Sequence, residues 1–222
     1  MTKEKPENLT PVDLVIFDCD GTLVDSETVA TDVMVEYLAE LGTQLSFDEA
    51  LSRFKGGRMA DCVVELEAMR GQPLPADFTK VLRERIAHTL HQRLQPIEGA
   101  LELVQSLRVP FCLASNGPLT QIKLSLGITG LLPYFEGRIY SAYEVGSWKP
   151  APDLFLHAAS KMGVEPSRCA VVEDSVPGVQ AGVAAGMLVF ALQPEQVEPN
   201  LPKQAKVISR LAELHDHIDL AG

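Results

Sequence analysis

Val12-Asp13-Leu14-Val15-Ile16-Phe17-Asp18-Cys19-Asp20-Gly21-Thr22 is the stretch that decides how the rest of the chain reads. Val12 to Phe17 is a short, mostly apolar, β-branched run cut off by aspartate and glycine, which is the pattern of a strand buried on both faces. Runs of the same kind recur at Phe111 to Ser115, Arg138 to Ser141, Cys169 to Glu173 and Leu188 to Leu192. Segments of helical period, such as Leu119 to Leu126 and Asp153 to Met162, stand between them. Strand alternating with helix from about residue 99 onward predicts an α/β fold, a Rossmann-like doubly wound parallel sheet. Such a sheet binds ligands at the carboxyl ends of its strands, so the residues after each run are the ones to search.

Ser26 to Leu94 breaks the alternation. Its apolar residues (Val33, Tyr37, Leu38, Leu41; Val63, Val64, Leu66, Met69; Val81, Ile86, Leu90) follow helical spacing, with no convincing strand. This predicts an α-helical cap over 26–94 inserted into a catalytic core made of 1–25 and 95–222. The connections are Val24 to Glu27 and Gln95 to Gly99, the second carrying Pro96 and Gly99 as breakers. A length of 222 residues suits a main domain with an insertion better than two equal domains.

A formal charge of −11 argues against nucleic acid or an anionic membrane as partner, because both demand clustered Lys and Arg. Apolar residues at 46% and charged residues at 22% exclude a disordered or fibrous chain. Cys19, Cys62, Cys112 and Cys169 are far apart and form neither a disulfide framework nor a zinc pattern. Met1 to Thr10 is polar and has no apolar leader. The expectation is a cytoplasmic enzyme, a monomer or weak homo-oligomer, acting on a small molecule.

Asp18 and Asp20 are two apart in extended backbone and therefore point the same way. Two carboxylates so close need either a cation between them or a proton on one, and both arrangements serve phosphoryl transfer. Ser115-Asn116-Gly117 follows the second run and offers a hydroxyl, an amide and backbone N–H groups to phosphate oxygens. Lys149 is a point cation beside Pro150, and Glu173-Asp174 ends the fourth run with hard oxygen ligands suited to Mg²⁺. The loop Lys55-Gly56-Gly57-Arg58 is a flexible cationic step between helical segments of the predicted cap.

The order Asp-x-Asp-Gly-Thr, Ser-Asn-Gly, Lys-Pro, Glu-Asp resembles the haloacid dehalogenase-like superfamily, in its phosphatase branch with a helical cap, over nearly the whole chain. The resemblance implies that Asp18 is a nucleophile forming an aspartyl-phosphate. It makes Asp20 the general acid and base, with its backbone carbonyl also on Mg²⁺, and Glu173 and Asp174 the remaining metal ligands. Ser115, Asn116 and Lys149 would hold the phosphate. The loop at Lys55, Gly56 and Arg58 would close over the substrate, with Arg58 or Lys55 on a hydroxyl or carboxylate of the leaving group. The runs Arg53-Phe54-Lys55-Gly56-Gly57 and Trp148-Lys149-Pro150-Ala151-Pro152 are similar to those of bacterial phosphogluconate phosphatases and their sugar-phosphatase relatives, implying a phosphomonoester such as 6-phosphogluconate.

Three alternatives compete. A dehalogenase of the superfamily needs neither metal nor a second aspartate. A phosphohexomutase of the β-phosphoglucomutase type carries a cap-hinge histidine that would fall at Ala30. A catalytically silent binding module is opposed by intact Asp18, Asp20, Lys149 and Asp174. Cys19 should alternate to the opposite side of the strand and pack inward, Trp148 should anchor its loop, and Gly178, Gly182 and Gly186 should let a helix pack closely on the sheet.

Overall fold

The computed structural model describes residues 9–194 and 197–219. Most of the polar N-terminal segment, residues 1–8, lies outside the described residues. The first run forms β1 (Leu14–Phe17), and its side chains divide between two cores. Val15 and Phe17 enter one, and Leu14 and Ile16 the other, as the twofold period of a strand requires. No residue of β1 touches solvent, which is why the run is apolar at every position.

The later runs become β2 (Phe111–Ser115), β3 (Ile139–Ser141), β4 (Cys169–Glu173) and β5 (Leu188–Leu192), with a sixth strand, β6 (Lys206–Ile208), that the sequence pattern does not announce. All pair in parallel in the order β3-β2-β1-β4-β5-β6, so the expected doubly wound parallel sheet is present. The strand order reverses at β1, which has β2 on one side and β4 on the other. The carboxyl end of β1, where Asp18 begins, is therefore the crevice at the switch point.

Helices α1 (Ser26–Glu40), α2 (Phe47–Phe54), α3 (Met59–Arg70) and α4 (Phe78–Arg93) follow β1 with no strand between them. The two connections to this helical stretch run side by side: Asp25 N–H donates to Gln95 C=O and Ile97 N–H to Leu23 C=O, both at 2.9 Å. Buried Leu38, Leu66, Leu82 and Leu90 from these helices join the same apolar cluster as Val15 and Phe17. Beyond them come α5 (Ala100–Ser106), α6 (Leu119–Ile128), α7 (Leu132–Phe135), α8 (Ala142–Val145), α9 (Asp153–Met162) and α10 (Val176–Ala184). Helices α9 and α10 cover the opposite face, where Leu154, Phe155 and Val179 meet Leu14 and Ile16.

Glycine spacing in α10 is a packing device. A Cβ at Gly182 would lie 2.8 Å from Val189 Cγ2 of β5, so only glycine lets this helix sit so near the sheet. Among the described residues no helix is long and apolar enough to cross a membrane.

Candidate active site

The carboxyl ends of β1, β2 and β4 bring Asp18, Asp20, Ser115, Asn116, Gly117 and Glu173 to the wall of one cavity of about 150 Å³, and the loop after α8 adds Lys149. Lys149 is 5% exposed, and its ammonium donates to Asp18 Oδ1 at 2.5 Å and to Glu173 Oε1 at 2.8 Å. Burial pulls the Lys149 ammonium down, but the two carboxylates more than reverse this and hold it above the usual lysine range. Asn116 fixes the same loop by accepting the Lys149 backbone N–H on Oδ1 at 3.0 Å.

Asp20 is held by hydroxyls. Ser26 Oγ donates to Oδ1 at 2.5 Å and Ser115 Oγ to Oδ2 at 3.4 Å. Burial pushes its carboxyl up, and the two hydroxyls pull the other way. Asp18 is raised further, by burial first and then by Glu173, Asp174 and Asp20, against the pull of Lys149. Gly21, at φ 80°, turns the chain after this pair, and Thr22 Oγ1 donates to Asp174 Oδ1 at 3.0 Å.

Asp174 is buried and raised to about 6, mainly by that burial, with Lys55 opposing and Glu173 adding to it. Its Oδ2 has no aligned hydrogen-bond partner, although the Lys55 ammonium lies 2.7 Å away in an ion pair. Lys55 is thus the counter-ion of Asp174, and against the downward pull of burial its own ammonium is held above the usual lysine range by Asp174. Hard oxygens and crowded, buried negative charge together fit a divalent cation near Asp18, Asp20 and Asp174. Among the described residues no three acidic, His or Cys side chains already converge as a ligand set. The reason is visible: the oxygens of Asp20 and Asp174 are turned to Ser26, Ser115, Thr22 and Lys55.

Three expected site residues meet partners within the chain. Glu173, expected as a ligand, accepts from Lys149 on Oε1 and from the backbone N–H and hydroxyl of Ser175 on Oε2. Lys55, expected over the leaving group, pairs with Asp174. Arg58 stands outside the cavity lining, its guanidinium 4.3 Å above the Trp148 ring, because stacking on an indole is open to a planar cation at the rim. Gly56 does line the cavity, donating its N–H to Glu27 Oε1 and accepting from Asn116 Nδ2, each at 3.2 Å.

Sequence reasoning missed Ser26, Glu27, Arg83, Gln121 and Tyr143, all of which line the cavity. Ser26 and Glu27 were readable in part, since they follow the Asp-x-Asp-Gly-Thr run within one turn of chain. Arg83 carried no signal: a lone arginine on a helix reads as a solvated face. Cys19, in contrast, is buried where alternation put it, its thiol pushed well up by that burial, and Trp148 packs against the second core. His88 is exposed, with a ring nitrogen 3.2 Å from Gln92 Nε2.

The helix α10 starts against this site. A Cβ at Gly178 would fall 1.7 Å from Glu173 Oε1, so Gly178→Ala forces Glu173 off Lys149. Overpacking of this kind costs about 1–3 kcal/mol. The expected result is a Tm lower by about 2 °C or more in a thermal melt; an unchanged Tm would mean that the turn has room to yield.

A parallel sheet with a carboxylate-lined crevice at its switch point defines the class, a doubly wound α/β enzyme. The chain belongs to the haloacid dehalogenase-like hydrolase family, whose model matches residues 12–186. It is 37% identical to the 6-phosphogluconate phosphatase of Escherichia coli, over 82% of this chain and 83% of that one. A fructose-1-phosphate phosphatase of the same organism is 32% identical, over 78% of this chain and 92% of its own length. A solved hydrolase of the same superfamily from Deinococcus radiodurans, with bound phosphate and sodium, superposes with a TM-score of 0.73 at 36% identity, covering 92% of this chain and 93% of that one.

Proposed function

We propose that the chain hydrolyses a small phosphosugar with Mg²⁺ through an aspartyl-phosphate on Asp18. The coarser statement stands by itself: the chain is a phosphoric monoester hydrolase, as its family and its phosphatase relatives have it. The observation that carries the finer reading is the Asp18 carboxylate, held against a buried lysine at the mouth of β1 and facing a cavity shared with Asp20, Ser115 and Asn116. Mg²⁺ would be held by Asp18, Asp20 and Asp174, and when bound it neutralises phosphoryl oxygens and the approaching carboxylate.

The chain's own residues then divide the labour. Lys149, with Asn116 and Ser115, receives the phosphate beside Asp18. An oxygen of Asp18 attacks phosphorus, and the bond from phosphorus to the sugar oxygen breaks. Asp20, whose carboxyl is raised by burial, gives its proton to that departing oxygen. Asp20 next takes a proton from water, whose oxygen attacks phosphorus and frees Asp18. Glu173 acts from behind, fixing Lys149 and the turn at Ser175.

Helices α1 to α4 serve as the cap, over 26–94, pivoting on the paired connections at 24–27 and 95–99. Support comes from contacts that cross from the 55–58 loop to the core: Lys55 to Asp174, Asn116 to Gly56 and Arg58 onto Trp148. Closure of this kind keeps water from the first transfer. A mutase is disfavoured because Ala30, which also lines the cavity, carries no group able to move a proton. The test is phosphate release from a panel of sugar phosphates, 6-phosphogluconate included. Release with Mg²⁺ and a fall of about 100-fold or more in chelator are expected; full activity in chelator would remove the cation from the reaction.

A further inference from the structure

Two cationic side chains line the cavity, Lys149 and Arg83. Lys149 already faces two carboxylates, Asp18 and Glu173. Arg83 projects from α4, makes no hydrogen bond or ion pair with the residues around Asp18, and has no carboxylate partner among the described residues. Elsewhere Arg53, Arg85, Arg93 and Arg168 each meet an acidic side chain. A chain of net charge −11 thus leaves an arginine uncompensated in its cavity wall.

The one partner of Arg83 is neutral. Its Nη2 donates to the Tyr143 hydroxyl at 2.6 Å, and the guanidinium carbon lies 5.6 Å from the Tyr143 ring centre. A tyrosine oxygen that accepts from Arg83 still has its own O–H to donate, and the guanidinium keeps further N–H donors in a planar fork. The pair is a ready donor set for an oxyanion. Gln121, from the first turn of α6, lines the same cavity and makes no side-chain hydrogen bond among the described residues. The rest of the lining on the cap side includes apolar Met34, Phe54, Met59 and Ile86 and one acidic group, Glu27, which accepts from Gly56 N–H, so among the described residues Arg83 is the one cation on that side.

We propose that Arg83 and Tyr143 form a leaving-group subsite for a carboxylate, which makes the preferred substrate the phosphate ester of a sugar acid. The inference rests on the phosphatase reading and narrows it. One unpaired positive charge and one hydroxyl match the single negative charge of a carboxylate better than the two of a second phosphate. The subsite also couples recognition to closure, because Arg83 belongs to α4 and Tyr143 to α8: an anion between them ties the helical insert to the core.

The test compares two esters that differ only at C1, 6-phosphogluconate, with its carboxylate, and glucitol 6-phosphate, with a hydroxymethyl group. A sugar bisphosphate is a third arm. Wild type is expected to favour the acid in kcat/KM by about tenfold or more, since a hydrogen bond to a charged group contributes about 1.5–3 kcal/mol. Arg83→Ala should lower that ratio by about the same factor, chiefly through KM, with Arg83→Lys restoring part of it and Tyr143→Phe lowering it less. The acid's KM should also rise with salt more steeply than that of the neutral ester. Equal losses on both esters, a wild type with no preference for the acid, or a bisphosphate preference that Arg83→Ala abolishes instead would each overturn the proposal. Release of phosphate from none of the esters would overturn the phosphatase reading itself; release from both without discrimination overturns only the subsite.

Discussion

Asp18→Asn is expected to lower phosphate release by about 10⁴-fold or more, on sugar and aryl phosphates alike, while the protein stays folded. Asparagine keeps the size and planar shape of the side chain and can still accept a hydrogen bond from Lys149, so the cavity wall survives. What disappears is the anionic oxygen that attacks phosphorus, and a neutral amide oxygen is a poor substitute. The loss should fall on kcat, because Ser115, Asn116 and Lys149 remain to bind the ester. Stability should not suffer. Asp18 is buried beside Glu173, Asp174 and Asp20, whose charges already press against its ionised form, and removing one of them relieves that crowding. Thermal melts should therefore show a Tm equal to that of wild type or higher. A second readout isolates the chemistry: wild type quenched in turnover should carry a hydroxylamine-sensitive acyl phosphate, and the asparagine variant should carry none. Retention of more than about a hundredth of wild-type kcat would take the nucleophile's role from Asp18.

The parts of the molecule that could be read in advance share a physical cause. β1, β2, β4 and β5 are sealed on both faces almost throughout, so their composition is set by burial and shows as apolar runs. Asp18, Ser115 and Glu173 sit where those runs stop, and backbone geometry alone carries them to one edge. β6 was illegible because only three residues pair and two of them, Lys206 and Val207, are exposed; β5 supplies the template that makes them a strand. Direction was illegible too. Lys55, Arg58 and Arg83 are equally cationic on paper, and which one faces the cavity depends on where Asp174 and Trp148 stand across the sheet edge. Glu173 shows the same limit at shorter range. Its identity suits a metal, and nothing in the run Glu173-Asp174-Ser175 says that Lys149 and Ser175 also reach its oxygens.

That capture of Glu173 makes Lys149 the residue on which both folding and chemistry turn, and Lys149→Met should damage each by a different route. Methionine fills the volume of the stem but leaves Asp18 and Glu173 without their ammonium, at contacts that were 2.5 and 2.8 Å. Deleting one partner of a buried pair costs about 3–5 kcal/mol, because the stranded charge stays out of water. For a chain of this size the fall in Tm should be about 6 °C or more. The rate should drop by about 10²- to 10³-fold as well, through loss of a fixed cation beside the developing phosphoryl charge. The two losses separate in the double variant Lys149→Met with Glu173→Gln. Glutamine removes one of the two stranded charges and keeps an acceptor for Ser175, so part of the Tm should return. The rate should not, because no cation has been restored next to Asp18. If the double variant regained rate along with Tm, Lys149 would matter only as the counter-ion that keeps the turn folded; if it regained neither, the burden on Glu173 would lie in its bonds to Ser175 and not in its charge.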